Sequence, residues 1–216
     1  MKQADTPFQF VAAASLILIG KDSPDTLAGL ARGLKTVSDA SIFCHTFQCL
    51  ATHHYTSYSN DFAQWAVAAC NQAELAERFA SVDVRQFVAI AGLRESLVAT
   101  LDTYLKARPA VGEHLAFEPF YFCESHEVTL PAETRASNLK ELAEGIAHIG
   151  LESLHYHFIN SRLRLHLQTN DFSNWIQHEL GMSDLAARVN RVDFYTNTLD
   201  GVREEIIACL KPSIKP

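Results

Sequence analysis

The sequence predicts a mainly α-helical protein with a minor β component, made of two tandem copies of one helical domain packed as a pseudo-two-fold dimer. Two alignments of the chain with itself predict the duplication. When Phe8 is laid on Phe120, an offset of 112, nine of the 38 positions from Phe8 to His45 are identical, where average composition gives about two. They include Phe10/Phe122, Leu30/Leu142, Gly33/Gly145, Ser41/Ser153 and His45/His157. A two-residue shift then restores register at offset 110, pairing Asn60-Asp61-Phe62 and Trp65 with Asn170-Asp171-Phe172 and Trp175. The chain has 2 tryptophans, and they fall on equivalent positions. A third observation predicts helices: Leu27, Leu30, Leu34 and Val37 recur at helical spacing, as do Leu139, Leu142, Ile146 and Ile149.

On this reading repeat one spans 1–107, a Pro- and Gly-bearing connection spans 108–119, and repeat two spans 120–216. Each copy opens on an extended stretch, FQFVAAASLILI in one and FYFCESHEVTL in the other, whose partial alternation reads as a strand. The leucine-striped helix comes next, capped by Asp25 or Thr26 in one copy and by Ser137 or Asn138 in the other. Asn138 with Glu141 resembles a capping box. Gly33 and Gly145 sit inside this helix, where glycine costs about 1 kcal/mol against alanine. Its presence in both copies predicts a close approach of another element. A second helix is expected over 39–53 and 151–167, and a third from Asn60 and Asn170 as N-caps. Phe62 with Trp65, and Phe172 with Trp175, then share one face and belong to the core. Short helices over 72–80 and 183–190 follow, and long ones over 89–106 and 198–211 close each copy.

A net charge of −7, with scattered Lys and Arg, argues against nucleic-acid binding. Five cysteines without a CxxC pair fit a reducing compartment. The apolar run from Phe8 to Ile19 is too short for a membrane span and has a counterpart inside the chain, so it reads as structural. The expectation is a cytoplasmic protein with neither membrane nor nucleic acid as partner.

His45 and His157 are the residues most expected to carry function. They are equivalent, each follows an equivalent serine by four residues, and each lies on the apolar face of its helix. Leucine would fill such a position without a polar atom to satisfy, so keeping histidine twice implies a polar task. One reading is a buried imidazole bonded to backbone or to Ser41 and Ser153. The other is a metal or anion site shared between the copies, completed by His155, Asp61, Asp171 or His53. Asp61 and Asp171 are otherwise explained by the helix dipole at a first position. Glu152-x-x-His155 has di-iron spacing, but copy one carries Ala40 and Phe43 there. His53-His54 and His178-Glu179 read as solvated helix ends. There is no phosphate loop, no nucleophile elbow and no His-Glu-x-x-His.

The string from Glu152 to Ile159 with Tyr156-His157, then Asn170-Asp171-Phe172 and Trp175, then Asp184-Leu185-Ala186 and Val202-Arg203-Glu204, resembles an uncharacterised bacterial and archaeal family of unknown function. The first copy carries a looser version, with His45, Asn60-Asp61-Phe62 and Trp65. The resemblance spans nearly the whole chain and implies a fold unit without implying an activity or a cofactor. The function expected is therefore a non-enzymatic binding or regulatory module, working through a groove between the copies or through oligomer contacts, with a protein or a small ligand as partner. The alternative is a metal- or cofactor-dependent enzyme centred on His45 and His157.

Overall fold

The computed structural model describes residues 2–49 and 58–214. The protein is mainly helical, with two strands, β1 (Phe8–Ile19) and β2 (Cys123–Ala136), hydrogen-bonded as one two-stranded sheet. The chain divides into a continuous unit, Leu16–His126, and a split unit, Met1–Ser15 with Glu127–Pro216. These units cross the repeat boundaries expected at 107 and 120. Phe8 and Phe10 pack on the helices of the split unit, and Phe120 and Phe122 on those of the continuous unit.

In the continuous unit the helices are α1 (Leu27–Thr36), α2 (Asp39–Phe43), α3 (Asp61–Ala68), α4 (Ala73–Ala80) and α5 (Ile90–Ala107). Thr26 caps α1 by accepting the Gly29 N–H, and Asn60 caps α3 by accepting the Ala63 N–H. Helix α1 packs on α5, and α3 on α4. Leu27, Leu30 and Leu34 meet Leu93, Leu97 and Leu101 in the leucine-striped core, all of them buried. After α2 the backbone widens into a π-helical turn over Cys44–Gln48. The helix expected over 39–53 is thus broken by this turn; its residues 50–53, including His53, lie outside the described ones, as does His54.

The split unit contains α6 (Leu139–His148), α7 (Leu151–His155), α8 (Ser161–Arg164), α9 (Asp171–His178), α10 (Ser183–Asn190) and α11 (Leu199–Leu210). A π-helical turn over Tyr156–Asn160 joins α7 to α8, so the helix expected over 151–167 is interrupted at the same point. α8 ends at Arg164, and in the turn beyond it His166 and Leu167 take positive φ. Asn138 caps α6 by accepting from Lys140 and Glu141, while Glu141 accepts the Ser137 N–H. Asn170 caps α9. Packing repeats the pattern of the continuous unit: α6 lies on α11, and α9 on α10.

Gly33 in α1 and Gly145 in α6 each have a phenylalanine ring directly above them. A Cβ on Gly33 would fall 2.4 Å from the Phe122 ring, and one on Gly145 would fall 2.3 Å from the Phe10 ring. These are the close approaches that glycine inside a helix foretold. The backbone follows: Gly20 N–H donates to Phe122 O in the continuous unit, and Ala4 N–H to Ser137 O in the split unit. β2 begins at Cys123 rather than at Phe120 and continues through Pro131 to Ala136. A proline is tolerated there because every strand of a two-stranded sheet is an edge. Among the described residues no helix is long and apolar enough to cross a membrane.

Candidate functional site

In the continuous unit the π turn carries His45 inward. Its side chain is 6% exposed, wedged beside Phe62 and Phe120 at ring separations of 5.5 and 4.7 Å. Its Nε2 accepts the Cys123 backbone N–H at 2.8 Å, and its Nδ1 lies 2.7 Å from Asp61 Oδ2. An Nε2 that accepts cannot carry a proton, so the proton sits on Nδ1 and is donated to the carboxylate. Asp61 is fixed in turn as the first residue of α3, against the positive end of the helix. The chain of contacts runs from helix end to carboxylate, from carboxylate to imidazole, and from imidazole to the strand N–H.

The split unit repeats it. His157 Nε2 accepts the Val11 N–H at 3.2 Å, and its Nδ1 lies 2.8 Å from Asp171 Oδ2. Phe8 and Phe172 flank the ring at 5.0 and 5.5 Å. Here Arg164 also pairs with Asp171, and its guanidinium lies 4.8 Å from the Tyr156 ring centre. The Asp–His pair therefore seats an extended segment in each unit. Each tryptophan assists: Trp65 Nε1 donates to Glu118 O, and Trp175 Nε1 to Thr6 O, both at 2.8 Å.

A groove lies beside each pair. In the continuous unit its volume is about 660 Å³, and His45, Asp61, Trp65, Ala68, Phe117, Phe120 and Tyr121 are among its lining. In the split unit it is about 370 Å³, lined at the equivalent places by His157, Asp171, Trp175, His178, Phe8 and Gln9, with Arg164 at its side. Cys123 also lines the larger groove. Burial, and then the charge of Asp61, push its thiol above the ordinary value, so at neutral pH it is a thiol rather than a nucleophilic thiolate.

His45 and His157 thus lie in separate units, each bonded at both ring nitrogens by groups of its own unit. Neither bonds the preceding serine: Ser153 Oγ donates to Val11 O, and Ser41 Oγ is buried without a hydrogen-bond partner among the described residues. Asp61 and Asp171, explained from sequence by the helix dipole, are the imidazole partners as well. The missed signal was the spacing of His and Asp, 16 residues apart in the continuous unit and 14 in the split unit, which places them on successive helices. His155 is a separate feature. Its Nε2 is buried without a partner among the described residues, and burial lowers its pKa to about 4. His178 is exposed at the end of α9, as expected, and it also lines the smaller groove. Among the described residues no group of three or more His, Cys, Asp or Glu is placed to hold a metal ion.

Comparison with known proteins defines the class. Residues 5–211 match a family of unknown function, DUF5752, and the chain belongs to it. Among solved structures it is similar to OrfY from Thermoproteus tenax, at 28% identity and a TM-score of 0.84, over 98% of this chain and 97% of that one. No curated protein matches it.

Proposed function

We propose that the chain is a tandem duplication of one binding module, and that the groove beside each His–Asp pair is its ligand site. One observation carries the reading: the groove recurs at equivalent residues, His45 and His157, Asp61 and Asp171, Trp65 and Trp175, Phe120 and Phe8. Both volumes fall in the range of about 300–1,000 Å³ usual for small-molecule sites. The wall of each groove is held rigid by the imidazole–carboxylate contact and the seated segment, which favours binding by lowering the ordering cost.

Trp65 lines the larger groove, and a Trp175→Phe chain leaves it as sole indole reporter. Titration with a library of small fragments should give saturable changes in its emission. Ala68→Leu, at an exposed position on the groove wall, should abolish them with an unchanged thermal melt. A library without a saturable ligand would overturn the reading.

The other expectation, a metal- or cofactor-dependent enzyme centred on His45 and His157, requires each Nε2 to surrender its backbone N–H. Elemental analysis of purified protein tests it. Oligomer contacts, the further route expected, are served best by the exposed Leu16–Ile19 end of β1. Sedimentation as a monomer at all concentrations would remove that route.

A further inference from the structure

The two grooves have the same frame and two acidic residues each, Asp61 and Glu118 in the continuous unit and Asp171 and Glu179 in the split unit, but they differ in their cationic and aromatic groups. In the split unit Arg164 and His178 line the wall, and Gln9 stands where the continuous unit has Tyr121. In the continuous unit Ala68 replaces the histidine, and no Lys or Arg is among the described lining residues. That lining contains two carboxylates, Asp61 and Glu118, and four aromatic residues, Trp65, Phe117, Phe120 and Tyr121.

Two of these rings stand in water. Phe117 is 86% exposed and Tyr121 51%, while their equivalents at offset 112 are Asp5 and Gln9. The polar copy shows that the frame does not need aromatic side chains there. The segment that carries them is nonetheless held: Phe117 N–H donates to Ala69 O, and Phe120 N–H, next to Tyr121, donates to Pro24 O. Asp61 is 24% exposed at its side chain, with Oδ2 accepting from His45.

Aromatic faces carry negative potential, and a cation over them is attracted most strongly when it is weakly hydrated. A quaternary or methylated ammonium meets that condition, and an acidic wall adds to it. A neutral apolar ligand would use the rings but not the carboxylates, and an anion would be repelled by them.

We propose that the groove of the continuous unit binds a small organic cation of the quaternary-ammonium class, received by Phe117, Tyr121 and Trp65 and faced by Asp61 and Glu118, while the groove of the split unit does not. This rests on the groove being a ligand site, and it names the ligand class.

Calorimetric titration of the full chain with choline, and with its neutral isostere 3,3-dimethyl-1-butanol, tests it. The expected result is saturable choline binding at one site per chain, with the alcohol at least about tenfold weaker. Phe117→Ala and Tyr121→Ala should each weaken choline by about three- to tenfold. Both side chains lie outside the core, so the melt should not move. Equal binding of the alcohol would overturn the cation assignment and leave the groove as an apolar site. Binding undiminished in both alanine variants would place the cation elsewhere and overturn it too. Heat from neither compound would end the assignment, while the fragment titration at Trp65 decides separately whether the groove binds at all.

Discussion

Replacing Gly145 by alanine puts two effects in opposition. Alanine in place of glycine inside a helix favours folding by about 1 kcal/mol. Against this, the new methyl would lie 2.3 Å from Cζ and 2.4 Å from Cε2 of Phe10, where ordinary contact begins at 3.4 Å. The ring has nowhere to retreat. It is fully buried, edge-on to Phe8 at 4.9 Å and 6.0 Å from the His157 ring. Overpacking of this kind costs about 1–3 kcal/mol, and a ring blocked on several sides belongs near the upper value. The net expectation is a loss of about 2 kcal/mol, read as a lower urea midpoint at unchanged slope. Phe10→Leu in the Gly145→Ala background should recover part of it, with a coupling of about 1–2 kcal/mol. A Gly145→Ala chain more stable than wild type would show that helix propensity wins and that Phe10 does not lie over this glycine. Gly33 with Phe122 at 2.4 Å should behave alike.

Other outcomes follow from the same contacts. His155 is held neutral by burial, its pKa lowered from 6.5 to about 4; the unfolded chain binds the proton first, so stability should fall as pH drops from about 6.5 toward 4. His155→Phe should flatten that slope in a series of melts. Trp65→Phe or Trp175→Phe keeps most of the packing but loses the indole bond to Glu118 O or Thr6 O, and should cost about 1 kcal/mol in chemical denaturation. Alanine at either tryptophan should cost about 3–5 kcal/mol, since each is 8% exposed. Asn170→Ala removes both the cap of α9 and a buried bond to Asn190, and a loss of about 2 kcal/mol is expected in the same assay.

Local signals were legible in the sequence. The Asn60, Asn138 and Asn170 caps are written in residue type. So is the burial of Phe62, Trp65, Phe172 and Trp175, because a 3.6-residue stripe fixes a face. The recurring glycines foretold a close approach, though not that Phe122 and Phe10 would make it. The exchange of extended segments was not legible, because periodicity says that a strand forms and not which helices it covers. The π turns at Cys44–Gln48 and Tyr156–Asn160 were equally silent. One residue beyond regular spacing leaves no compositional mark, yet it turns each histidine toward its segment. The serine one turn earlier was the nearest partner in sequence; Asp61 and Asp171 are the partners in space because the next helix begins beside the ring.

The account stands on His45 and His157 as neutral anchors, protonated on Nδ1 and accepting a backbone N–H at Nε2. Long-range proton–nitrogen correlation of the imidazoles in nitrogen-15-labelled full chain observes this directly. The rings of His45 and His157 are expected in the Nδ1–H form, unchanged by chelator or added zinc, each assigned by its loss in His45→Gln or His157→Gln. Rings in the Nε2–H form, or Nε2 resonances that shift on stoichiometric zinc, would contradict the anchor and return both residues to the role of metal ligands.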